Sequence, residues 1–97
     1  METHDHLAVL YVELFIPHSG SLKAKRSVLK SVKDRIRNHF NVSVAEVGSQ
    51  DKWQRAVLGF AALSEDKTYL DRQLQFILSF LNDIHDFEVI EHRIEFI

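Results

Sequence analysis

Apolar residues fall at every second position from His6 to Ile16: Ala8, Leu10, Val12, Leu14 and Ile16. A period of two puts them on one face of a β-strand. The alternate positions, Leu7, Val9, Tyr11, Glu13 and Phe15, are more apolar than a water-facing surface needs. Pro17-His18-Ser19-Gly20 breaks the strand, and the period then changes. Leu22, Val28, Leu29, Val32, Ile36 and Phe40 align as one stripe at about 100° per residue. This predicts a helix capped by Ser21 and running to about Phe40, with Asn41 at its exit. Val42 to Val47 reads as a short strand, Gly48 to Gln54 as a polar loop, and Arg55 to Leu63 as a strand apolar on both faces. Ser64-Glu65-Asp66 caps a second helix reaching about His85, with its acids placed against the helix dipole. Phe87 to Phe96 is a last strand carrying Glu88, Glu91, Arg93 and Glu95.

The predicted order is βαββαβ, in the class α+β: a ferredoxin-like two-layer sandwich with a four-stranded antiparallel sheet and two helices on one face. The two apolar strands, first and third, belong in the centre. The charged fourth and the short second belong at the edges, where charge discourages pairing with another chain. The whole length, 97 residues, reads as one such domain, with residues 1–6 a flexible N-terminus. In the second helix Leu70, Leu74, Ile77, Leu81 and Ile84 suffice for packing on a sheet. Tyr69, Phe76 and Phe80 widen its apolar arc to roughly twice what one face needs. That surplus suggests a second partner, often another copy of the same chain, the plainer alternative being that a small two-layer domain leaves some aromatics half exposed.

Composition adds little until charge is mapped along the chain. The formal net charge is −2, yet Ser21 to Asn41 holds seven bases against the single acid Asp34, and the remainder holds five bases against thirteen acids. Such a chain can carry a basic face that attracts an anion. There is no cysteine, which excludes disulfides, thiolate catalysis and cysteine zinc sites. The polar, acidic start does not read as a signal peptide, and no apolar run is long enough to span a bilayer, so a cytoplasmic protein without membrane contact is expected.

The candidate chemistry is that of an interface. Arg26, Lys30, Lys33 and Arg37 step by four, three and four residues and share a helical face. With Lys23 they form a ridge roughly 20 Å long, suited to phosphates; a solvated face paired with acids elsewhere is the plainer alternative. Lys25 points toward the apolar stripe, where it either snorkels past the sheet edge or meets a carboxylate; as part of the basic segment it joins the candidate set. Ser19-Gly20-Ser21 at the helix start fits simple capping better than phosphate binding. Trp53, in a polar hairpin beside Arg55, is placed to stack on a base or anchor a protein partner, or else to fold back as a lid over the sheet or a helix end. On the sheet face left open by the helices, Tyr11 and Phe15 would oppose Val57, Gly59 and Ala61, so the aromatics of an RNA-recognition sheet are half missing and a packed interface is the better match. Histidines and carboxylates form no pattern at metal spacing, and Glu13 has no nameable catalytic partner. No metal, no cofactor and no enzymatic activity are expected.

Three segments, Ser21-Leu22-Lys23-Ala24-Lys25-Arg26, then Phe40-Asn41-Val42-Ser43-Val44-Ala45-Glu46-Val47, then Gln50-Asp51-Lys52-Trp53-Gln54-Arg55-Ala56-Val57-Leu58-Gly59, resemble the YlxP-like family of small bacterial proteins, a domain of unknown function. The resemblance covers nearly the whole chain. The family usually has Glu where Ala24 stands, and the change makes the segment more basic. The resemblance implies a ferredoxin-like fold. Through neighbouring genes for translation initiation and ribosome maturation, it also implies a connection with RNA or ribosomes. It supplies no catalytic residues.

The reading is a small non-enzymatic protein associated with RNA or the ribosome through Lys23, Lys25, Arg26, Lys30, Lys33, Arg37, Trp53 and Arg55. The alternative is a homodimeric protein-interaction or small-molecule-sensing module using Tyr11, Phe15, Tyr69, Phe76 and Phe80. Fold alone does not decide between them.

Overall fold

The computed structural model describes residues 1–97. The elements are β1 (His6–Phe15), α1 (Leu22–His39), β2 (Ser43–Gly48), β3 (Arg55–Ser64), α2 (Lys67–Asn82) and β4 (Glu88–Phe96). They build one antiparallel sheet in the order β2-β3-β1-β4. This is the ferredoxin-like arrangement expected from the periodicity, with the apolar strands β1 and β3 central and β2 and β4 at the edges. His6 already pairs with Ser64, so the strand starts inside the segment expected to be flexible; Met1–Asp5 carry no regular structure.

The even face of β1 lies under the helices: Ala8, Leu10, Val12 and Leu14 are wholly buried. Ala56, Leu58 and Phe60 of β3 join them, with Leu29, Val32 and Ile36 of α1 and Leu70, Leu74, Ile77 and Leu81 of α2. These are the residues the two helical stripes and the strand alternation select. Leu78 is added to the α2 set.

The caps explain where the helices begin and end. The Ser21 hydroxyl accepts from Ala24 N at 3.0 Å, and Asp66 Oδ1 accepts from Tyr69 N at 3.1 Å. Asn41 is not a left-handed cap: α1 closes at Phe40, whose N–H still donates to Ile36 O at 2.8 Å while its backbone is already extended. α2 stops at Asn82, short of His85, because the turn tightens there: Ile84 N donates to Leu81 O at 3.2 Å, three residues back.

Candidate functional site

Apart from Arg35, the lysines and arginines of α1 divide into two groups according to the face on which they stand. Lys23, Arg26, Lys30 and Arg37 are exposed and Lys33 is half-buried. The flank they occupy lies toward β2, because Arg37 Nη2 donates to Val44 O of that strand at 3.3 Å. Acids on the far edge of the sheet do not neutralise them, and Glu95 is paired with Arg93 at 2.9 Å instead. One acid, Asp34, serves two of the bases, standing 2.8 Å from Lys30 Nζ and 3.8 Å from Arg37 Nη1. Hydrogen bonding from Lys30 holds its carboxyl below the usual carboxylate range. Partial desolvation opposes this, and the charges of Lys30, Arg37 and Lys33 reinforce it. A lowered folded-state pKa means that whatever Asp34 adds to stability is present above the ordinary carboxylate range and is lost as pH falls through the lowered value.

Lys25 belongs to a different structure. It is 1% exposed, the largest fully buried side chain in the molecule. Its ammonium donates to Ser49 O at 2.6 Å and Lys52 O at 2.7 Å, and lies 2.9 Å from Glu46 Oε2. That carboxylate oxygen is buried and makes no hydrogen bond, so its contact with the ammonium is one of charge. Two of the ammonium's three protons thus meet backbone carbonyls, and the carboxylate balances its charge. Lys25 is therefore withdrawn from the phosphate-facing set, and of the two placements its position allowed, the carboxylate partner is the one realised. Glu46 was missed as that partner. The signal was present: in β2, Val44 and Glu46 share a face, and Val44 points into the core, so Glu46 needs a base within reach.

The other candidates separate as well. Arg55 is not on the helix flank. Its guanidinium lies 3.3 Å from Glu13 Oε1 and 5.3 Å from the centre of the Phe15 ring, on the open sheet face. Arg93 covers Tyr11 in the same way at 4.4 Å. Both rings expected to be free for a base or a partner are thus already capped by guanidinium groups of the same chain, and both are half-buried. Trp53 does not fold back as a lid; it is 56% exposed in the β2–β3 loop, two residues before β3. Tyr69 and Phe76 are 55% and 60% exposed, whereas Phe80 packs edge-on against Phe40 at 5.9 Å with Arg35 over its ring at 5.3 Å. Phe80 therefore joins the two helices within the chain and leaves the surplus arc to Tyr69 and Phe76. Histidine and carboxylate side chains form no group that could hold a metal.

The profile of the family described as "Protein of unknown function (DUF503)" matches residues 7–94. The chain belongs to the DUF503 family. Within it, the chain is similar to a protein of Bacillus subtilis (strain 168) described as "Uncharacterized protein YlxP", at 43% identity over 76 residues that cover 78% of this chain and 83% of the relative. The three segments that carry the YlxP-like resemblance meet at one point in space. The first contributes Lys25, the second Glu46 and the third Lys52, all at the same ammonium.

Asp34 is the one acid on the exposed basic flank, and this gives a direct prediction. Asp34→Asn removes an ion pair with Lys30 that is worth little on an exposed helix, so the melting temperature is expected to stay essentially unchanged. Any polyanion bound along α1 should bind about twofold tighter, since Lys30 and Arg37 lose their competing partner. Titration at fixed salt measures this; weaker binding by the variant would place the anion elsewhere.

Proposed function

We propose that this chain is a non-catalytic RNA-associated protein that holds the RNA backbone along the exposed flank of α1. The observation that carries the reading is the row Lys23, Arg26, Lys30, Lys33 and Arg37 on one helix side, with Asp34 as its only acid. Lysine and arginine spaced by single helical turns match phosphates, which supply salt-dependent affinity with little dependence on sequence. A ribosome surface offers the same chemistry. The experiment is titration of a labelled single-stranded RNA over a range of salt. Four phosphate contacts give a log–log slope of about −3, at about −0.7 per contact. A slope near zero, or no binding at low salt, would count against the reading.

A second reading is favoured by a specific observation: Tyr69 and Phe76 line an open groove with His39, Phe40 and Arg72 and are more than half exposed. A second copy of the chain would cover them. Mass measurement at micromolar concentration tests it, and a monomer throughout would remove it. Trp53 does not belong to that groove.

A further inference from the structure

The buried Lys25 holds the loop that carries the exposed Trp53. We propose that Lys25 is a positioning residue for an unpaired-RNA site, in which the Trp53 ring receives one base and Lys23 and Arg26 take the adjoining phosphates. The proposal rests on the reading of α1 as a phosphate-binding flank and names the class of RNA it selects.

The argument begins with what a buried lysine is for. Replacing a buried ion pair by apolar groups is often neutral or favourable for stability, so the pair calls for a reason beyond stability. Here the ammonium draws together two carbonyls three residues apart, Ser49 O and Lys52 O, and the carboxylate of Glu46 on the strand that leads into the loop. Ser49 has φ 58°, the left-handed region that a residue with a Cβ enters reluctantly. Its carbonyl is held twice, by Lys25 and by Lys52 N at 3.1 Å.

The far side of the loop is fixed as well. Ile16 N donates to Gln54 O at 2.9 Å, and Gln54 Nε2 donates to Pro17 O at 3.1 Å. Trp53 is thus bracketed by two anchored neighbours, and its ring still stands 56% exposed. An aromatic ring on a fixed backbone loses little freedom when a base stacks on it. The charges along the chain suit an anion: Lys23 and Arg26 lie on either side of Lys25 in α1 and Lys52 immediately precedes Trp53, all three exposed, while Lys25 already neutralises Glu46 and Asp51 is the one acid in the loop. Stacking accepts any base but requires that it be unpaired, so this site discriminates single strands from duplexes.

The full chain is titrated at low salt with labelled single-stranded oligoadenylate and with the same strand annealed to oligouridylate. The native chain is expected to prefer the single strand. Trp53→Ala should lower single-strand affinity about tenfold and leave duplex affinity within about twofold. Lys25→Met should do the same although it removes no exposed charge. The double variant should bind like Trp53→Ala alone, since both changes act through one ring. Trp53 is the only tryptophan, so its fluorescence anisotropy reports on the loop without RNA and should fall in Lys25→Met. Should that variant not fold, Lys25→Met with Glu46→Gln removes the unpaired carboxylate and is measured in its place. Additive losses in the double variant, equal loss on duplex and single strand, or unchanged anisotropy would overturn the positioning role. Equal affinity of the native chain for both RNAs would overturn the unpaired-base site while leaving the phosphate flank standing. Absence of binding to either RNA would overturn the flank itself.

Discussion

Replacing Lys30 and Lys33 together by Glu is expected to weaken RNA binding more than about a hundredfold and leave the fold intact. The size follows from the chemistry of the flank. Each reversal removes one phosphate contact and sets a carboxylate where the phosphate would sit, and two reversals in adjacent turns act on the same stretch of backbone. The salt slope should fall with affinity, from about −3 toward half that value, because about half the released counterions are lost. Stability should move by less than about 1 kcal/mol. The Lys30 side chain is 79% exposed, and its one partner is Asp34 on the same helix. The new acids stand near Asp34, which sets up like-charge contacts of a few tenths of a kcal/mol on the helix surface. Circular dichroism and melting establish that the variant is folded; titration over salt then reads the effect. Unchanged affinity in a folded variant would move the RNA off α1. A loss without any change of slope would mean that the charges act through the fold rather than on phosphate.

The parts of this molecule that were legible in the sequence are those governed by periodicity. Alternation in β1, the single stripe of α1 and the apolar β3 determine which faces are buried, and burial determines the strand order. The caps at Ser21 and Asp66 were legible for a local reason, since a side-chain oxygen three residues before an N–H needs no tertiary partner. What periodicity does not carry is the identity of partners across the sheet. Arg55 and Arg93 are plain surface bases in the sequence; only the register, Phe15 against Arg55 and Tyr11 against Arg93, turns them into caps over aromatic rings. Lys25 lies between these cases. Its place on the apolar stripe shows that its ammonium needs partners, but two of the three are backbone carbonyls of a loop whose shape no side-chain pattern reports. The flank itself needed only the helical wheel. Arg37 shows the limit of that method, for its contact with Val44 O depends on how α1 sits over the β2 edge.

Phe60→Ala is expected to be the most damaging apolar truncation in the chain, at about 3–5 kcal/mol. Phe60 is wholly buried, lies on the central strand β3, and faces the helices between Leu10 of β1 and Val44 of β2. It is the largest apolar side chain buried to that degree. Truncation to the β-carbon leaves a void on three sides, and the strand that carries it is hydrogen-bonded on both edges, so the backbone cannot move in to fill the space. Domains of this size are stable by roughly 5–15 kcal/mol, which makes the loss a large share of the total. At about 4–8 °C per kcal/mol, the melting temperature should fall by at least about 12 °C. Phe76→Ala is the matching control, the same truncation on a ring 60% exposed on α2. In a monomer it should change stability by no more than about 0.5 kcal/mol. If Phe76→Ala lowers melting substantially, and more so at high protein concentration, the ring is buried between two copies of the chain and the homodimer is real. If Phe60→Ala costs no more than Phe76→Ala in a monomer, the helices do not pack on the even face of β1, and the placement of α1 and its basic flank over the β2 edge fails with it.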